Sequence, residues 1–478
     1  MSRTSLSWQV AALAWLCTVA VGCVPSLKGN EPREPDRKVP ASFGASSLPT
    51  TSSAQQKWSE LFTSPELRAL IETALENNRE LNGQLQEIII AQNEVSARKG
   101  EYLPKVNAGA GVGVDKVGTY TSQGASDEAN GLPKNLGSFG FGFTGSWEID
   151  IWKKLRNAAA AAGFRYLATI EAKNFMATQI IAEIASSYYE LMALDNQIEI
   201  LERNVELQTS ALEVVKLEKL AARVTELAVQ RFEAEVLKNR SRLYDVEQER
   251  VQTENRINFL VGRYPQPVRR RSEEFKAPLP DGIRSGLPAQ LLDNRPDVRQ
   301  AALELEAAKL DVKVAKAAFY PSLSIDAGAG YRSFNAQHLV TTPESLAYGA
   351  AGNVAAPLLN RAAITAMYRS ANARQLQAVF NYEKTLLRAF TDVVNQLSMI
   401  DNLQRSYGLQ SRQVDTLARA ADISNILFLS ARADYMEVLL TRRDSLEAQL
   451  ELIETKRRQF KAMVNVYQAL GGGWRSGA

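Results

Sequence analysis

The chain has 478 residues, 45% of them hydrophobic and 23% charged, with a formal net charge of +3. So small an imbalance is not the basic footprint a nucleic-acid partner requires. One histidine, His338, and two cysteines, Cys17 and Cys23, leave no basis for a zinc site, a Cys/His catalytic pair or a disulfide scaffold.

Arg3 precedes the apolar run "VAALAWLCTVAVGC", too short to span a bilayer and placed as a signal-peptide core. The run ends in Ala20-Val21-Gly22-Cys23, which resembles the lipobox of bacterial lipoproteins. On that resemblance residues 1–22 are a signal peptide and Cys23 is the lipidated, palmitate-bearing start of the mature chain. The alternative is an ordinary cleaved signal with an incidental cysteine. Val24 stands where inner-membrane retention is associated with aspartate, so the same resemblance implies the outer membrane of a Gram-negative bacterium. Residues 23–55, rich in Pro and Ser, read as a lipidated N-terminus and tether.

Beyond the tether the chain is duplicated. Asn78-Arg79, a helical run and "YLPKVNAGAG" recur as Asn294-Arg295, a helical run and "FYPSLSIDAGAG". Ala222 and Ala431 are 209 positions apart, as are Gly262 and Gly471. The first repeat is 56–262 and the second 289–471. They are joined by a proline-rich linker at 263–288, and a tail at 472–478 ends the chain. Each repeat reads as helix, β-hairpin (about 104–151 and 321–357), long helix, break and return helix. Residues 153–221 and 362–430 carry no proline, and each would reach about 100 Å as one helix. The helices at 66–102 and 289–319, about 46–55 Å, and the return legs at 226–261 and 435–470, about 54 Å each, stack to match one long helix. Leu191, Leu194, Ile198, Leu201, Val205 and Leu212 keep a heptad-like rhythm that Gln208 breaks.

The hairpin strands alternate. Phe139, Phe141, Phe143, Trp147 and Ile149 are interleaved with Gly140, Gly142, Thr144, Ser146 and Glu148, so one face is large and apolar and the other small or polar. Val106–Val114 and Leu323–Tyr331 alternate similarly, and the segment from Leu346 more weakly. About 9–11 residues carry a tilted strand across a membrane. A soluble sandwich would need a second sheet; a membrane barrel exposes the apolar face to lipid and encloses the small one. The chain offers no second sheet, so the barrel is the reading adopted. Four strands cannot close a barrel and open edges are not tolerated in lipid. Two copies would give eight strands and three would give 12, and the trimer is favoured because eight leave no bore. Pro104, Pro321 and Pro357 mark the strand–helix corners. The polar tips at 119–136 and 335–345 face outward.

The chain resembles the outer-membrane factors of tripartite efflux pumps, the TolC-like family and its NodT-type lipoprotein branch. The resemblance rests on "KWSELFTSPELRALIETALENNREL", "WEIDIWKKLR", "SGLPAQLLDNRPDVRQAALELEAAK", "YEKTLLRAFTDVVNQL" and "ADYMEVLLTRRDSLEAQL". It covers nearly the whole mature chain. It implies a homotrimeric duct, a 12-stranded outer-membrane barrel of four strands per chain continued by a long periplasmic α-helical barrel. An inner-membrane pump of the resistance–nodulation–division type, working through a periplasmic adaptor, would feed it. Lys153, Ala222 and Ala431 stand where the family usually has glycine, and alanine resists the positive φ such turns use.

By the same resemblance the breaks at 221–225 and 430–434 are periplasmic hairpin tips. There Ala222, Arg223, Ala431 and Arg432 would meet the adaptor, and Thr225 and Asp434 would form the gate, with three Asp434 carboxylates narrowing the entrance. The alternatives are helix capping by Thr225 and Asp434, with Asp434-Tyr435-Met436-Glu437 as a capping box, and solvation alone for the arginines. No catalytic residue, metal ligand or cofactor site is expected: His338 falls in an outer loop, and "GAGVGV" opens no helix. A structural or adhesive trimeric outer-membrane lipoprotein is the rival function.

Overall fold

The computed structural model of the protein describes residues 24–27, 29, 31–43, 52–277, 286–430 and 432–474. The signal segment, Cys23 and Ala431 lie outside the described residues. In chain order the principal elements are α1 (Pro65–Asn77), α2 (Arg79–Glu101), β1 (Lys105–Asp115), β2 (Leu136–Ile149), α3 (Lys154–Leu220) and α4 (Glu226–Val261). The second series is α5 (Pro296–Ala317), β3 (Ser322–Ser333), β4 (Leu346–Ala355), α6 (Ala362–Leu429) and α7 (Tyr435–Ala469). A short helix, Ser122–Ala129, occupies the β1–β2 connection, where the polar composition predicts a plain loop. No described helix is long and apolar enough to cross a membrane.

The helices before the strands are not continuous, contrary to the uninterrupted runs expected. They break at Asn78 and at Arg295, both with extended backbone. Asn78 Oδ1 accepts the N–H of Leu81 at 2.9 Å, capping α2. Each break residue also reaches the end of its own return helix. Asn78 Nδ2 donates to Leu260 O at 2.8 Å, and Arg295 Nη1 donates to Ala469 O at 3.1 Å. The structural repeat therefore pairs Asn78 with Arg295, one residue away from the alignment of the two Asn-Arg dipeptides. Gly262 and Gly471 end the return helices at φ +77° and +85°. A side chain there would strike the carbonyls of Asn77 and Asn294.

The chain forms two compact units, and each draws on both repeats. One comprises the described residues of Met1–Pro35, Ile89–Leu167 and Ala302–Asn381; the other comprises those of Asp36–Ile88, Ala168–Ala301 and Tyr382–Ala478. The first holds a four-stranded antiparallel sheet in the order β1-β2-β3-β4 and an apolar cluster of Val312, Ala315, Phe319, Tyr368 and Ala371. Val24 and Leu27 of the expected tether pack on that cluster, and Glu34 pairs with Lys309 at 2.6 Å. The second unit is centred on Tyr188, Phe62, Leu67, Ile184 and Leu191, all fully buried. Its linker is clamped by Arg270, which meets Asp195 at 2.5 Å and Glu254 at 2.6 Å.

Candidate functional site

Strand register sorts the sheet into two faces. Ala110, Phe141, Tyr331 and Leu346 lie in one row, and Ala108, Phe143, Ala329 and Tyr348 in the next. Phe141 and Tyr331 stack at 5.5 Å. This face is bare: Val112 is 80% exposed, Phe143 64% and Tyr348 83%. The opposite face carries the rows Asn107–Thr144–Gly328–Gly349 and Gly109–Gly142–Gly330–Ala347. β2 and β3 coil so closely that a Cβ on Gly142 would sit 2.5 Å from Ala329 O and 2.7 Å from Gly330 Cα. A Cβ on Gly330 would be 2.3 Å from Phe141 O. These glycines are thus required by strand curvature as well as by a clear surface. β1 and β4 each pair on one side only.

The corners between strands and helices are built from several residues. Pro104 and Pro321 immediately precede β1 and β3, and Pro357 lies just past β4. Trp152 Nε1 donates to Pro321 O at 2.7 Å, and its ring stacks on Tyr320 at 4.8 Å. Asp150 accepts the N–H groups of Leu155 at 3.1 Å and Arg156 at 2.9 Å, satisfying the start of α3. Lys153 and Asn360 turn the chain at φ +58° and +53°.

At the other end of the long helices, Ala222 adopts φ +58°. Its N–H bonds Lys219 O and the Arg223 N–H bonds Glu218 O, both at 2.9 Å, closing α3 in a Schellman motif. The second turn repeats the outer bond, from the Arg432 N–H to Leu427 O at 2.9 Å. Ala222, Arg223, Thr225, Arg432 and Asp434 are all at the surface. Thr225 and Asp434 occupy the N-cap positions of α4 and α7, yet neither side chain makes a capping hydrogen bond. The expected capping box is therefore not formed. Glu437 N–H instead meets the backbone carbonyl of Asp434 at 3.1 Å. Tyr435 and Leu439 pack on the cluster of Leu212, Val215, Val229 and Phe232, which sets the start of α7 against the first hairpin.

Two further features were invisible in the heptad pattern. Gln208 is buried because Asn239 of α4 faces it, with Asn239 Nδ2 donating to Gln208 Oε1 at 2.8 Å. Half-buried Arg442 donates to Asn425 Oδ1 at 3.0 Å and Leu207 O at 3.4 Å, linking α7 to α6 and α3. Burial lowers its pKa, with Asp422 opposing. Neither partner could be read from spacing, since each lies on a different helix.

A bare apolar sheet face, a small-residue face behind it and paired long helical hairpins define a membrane channel component. Residues 70–263 and 287–472 match the family described as outer membrane efflux protein, and the chain belongs to that family. The pyoverdine export outer membrane protein OpmQ of Pseudomonas aeruginosa is 28% identical over 421 residues, covering 88% of each chain. The probable outer membrane lipoprotein SilC of Salmonella typhimurium is 25% identical over 460 residues, covering 95% of this chain and 97% of its own. The crystal structure of a membrane protein from Pseudomonas aeruginosa superposes with a TM-score of 0.83 at 22% identity, covering 91% of this chain and 99% of that one. The chain is an outer-membrane efflux channel protein, in a family of channels rather than of enzymes. That membership decides against the adhesive reading.

Proposed function

We propose that three copies close one 12-stranded barrel in the outer membrane and continue it as a helical duct through the periplasm. The duct passively conducts cargo delivered by an inner-membrane pump of the resistance–nodulation–division type through an adaptor. The carrying observation is the sheet: two open edges and a bare apolar face are stable in lipid only if other copies cover the edges. Cys23 supplies the lipid anchor. Ala222, Arg223, Ala431 and Arg432 meet the adaptor at the hairpin turns.

Asp434, with Thr225, forms the entrance gate. Three carboxylates brought together repel one another and hold counter-cations, and their side chains are not engaged in capping. Planar-bilayer recording tests this reading. The wild type is expected to form low-conductance channels and Asp434→Ala to raise conductance. A purified protein that stays monomeric and detergent-free would overturn the duct. Unchanged conductance in folded Asp434→Ala trimers would remove Asp434 from the gate.

A further inference from the structure

Between the Asn107 row and the Gly113–Ser138 pair, the small-residue face of the sheet carries one long side chain. From the row of Asn107, Thr144, Gly328 and Gly349 to the pair Gly113–Ser138, every described residue on that face is Gly, Ala, Ser, Thr or Asn except Arg332. Arg332 stands opposite Gly140, which stands opposite Gly111. Its Cγ lies 3.7 Å from where a Cβ on Gly140 would be, so it leans across a surface with no neighbouring side chain to shield it. Its backbone N–H donates to Ser345 O at 2.8 Å, which fixes the residue where the β3–β4 ladder ends.

Nearer the helix-side end of the face, two carboxylates have bonded partners. Glu148 pairs with Lys154 at 2.5 Å. Asp326 accepts from Asn353 at 2.9 Å and shares a row with Lys105. Arg332 is exposed and has no ion-pair partner among the described residues. Asp115, on the same face of β1, is four residues beyond Gly111, about 13 Å along the strand. That exceeds a Debye length of about 8 Å at physiological salt.

We propose that Arg332 is a specificity-determining residue of the duct. Contributed once by each protomer, it forms a cationic constriction inside the outer mouth that favours passage of anions and opposes the return of cations. This rests on the trimeric barrel proposed above. The ring is opposite in sign to the carboxylates proposed for the inner entrance.

The test is the reversal potential of reconstituted channels in a KCl gradient, in the wild type and in the Asp434→Ala background. Arg332→Glu is expected to raise the potassium-to-chloride permeability ratio severalfold and Arg332→Gln to raise it less, while Arg332→Lys leaves it near the wild-type value. Arg332→Gln keeps the test open if Arg332→Glu fails to assemble. An unchanged ratio in conducting Arg332→Gln or Arg332→Glu trimers would overturn the constriction and leave the duct standing. An equal shift from Lys116→Glu, a loop charge, would overturn it too. Absence of any conductance from the wild type would instead defeat the duct itself.

Discussion

Asn78 and Arg295 do the same work in the two repeats by different chemistry. The amide of Asn78 donates to Leu260 O at 2.8 Å and the guanidinium of Arg295 to Ala469 O at 3.1 Å. Both carbonyls are among the last of a helix, which have no intrahelical donor. In each repeat the break between two short helices is thereby tied to the end of the return helix, and the glycine that closes that helix is pressed onto the same break. The duplication preserved this closure while replacing the side chain that makes it.

Arg295 adds a charge to the closure. It grips Asp297 at two points, Nε–Oδ1 at 3.0 Å and Nη2–Oδ2 at 2.7 Å, and reaches Asp392 at 3.4 Å. Burial opposes its charge, but Asp297 and Asp392 outweigh it and hold its pKa above the ordinary value. Arg295→Ala strands a carboxylate and a helix-end carbonyl, a loss of about 3 kcal/mol. Asn78→Ala removes a neutral bond and a cap, about 1–2 kcal/mol. Thermal unfolding in detergent should rank them in that order, and a wild-type midpoint for Arg295→Ala would refute the closure.

Gln208 and Asn239 form a buried polar pair in the α3–α4 coil, and Gln208 Nε2 has no partner among the described residues. Asn239→Ala alone leaves the Gln208 carbonyl oxygen unsatisfied as well, costing about 1–3 kcal/mol. The double change Gln208→Leu with Asn239→Leu replaces both partners and should be neutral or stabilising. A double-mutant cycle measures the coupling; additive losses would show that the two side chains do not depend on each other.

Glu66 predicts the acid response. Hydrogen bonding from its own backbone N–H, then Ser64 and the nearby Arg271, holds its pKa below the reference of 4.5. A carboxylate depressed in the folded state contributes stability above its unfolded pKa and loses it as pH falls through the folded value. The thermal midpoint should fall between neutral and acid pH less steeply in Glu66→Gln than in the wild type. Parallel curves would mean that the Glu66–Arg271 contact, 3.0 Å, carries no linkage.

The hairpins and long helices were legible because each obeys one period throughout: two for Phe139 to Ile149, and a proline-free helical rhythm for residues 153–221. The breaks at Asn78 and Arg295 were not, since nothing in an Asn-Arg or Arg-Pro dipeptide names a carbonyl on a distant helix. Gln208 looked like an error in the heptad until Asn239 supplied its partner. Ala222 was expected to resist a left-handed turn, yet it adopts one, because the two Schellman bonds and the packing of both hairpins outweigh a local steric cost of about 1–2 kcal/mol.

That cost makes Ala222 a site for improvement. Ala222→Gly removes the Cβ clash at φ +58° and should stabilise the turn by up to about 1 kcal/mol, less the added freedom of the unfolded chain. The turn is exposed, so no packing is lost. Native-state hydrogen exchange at the Arg223 amide reports the local gain, and faster exchange in Ala222→Gly would show that the turn is not strained.

The glycine rows separate a steric requirement from a clear surface. Gly142→Ala drives a methyl against Ala329 O and Gly330 Cα, backbone atoms that cannot rotate away, so β2 and β3 must part. Gly109→Ala and Gly349→Ala place theirs in open space. Heat-modifiable mobility on gels, which reads an intact sheet assembly, should be lost at lower temperature in Gly142→Ala and nearly unchanged in the other two. Equal behaviour of all three would mean that the close β2–β3 approach relaxes freely, and that strand curvature does not depend on the Gly142–Gly330 pair.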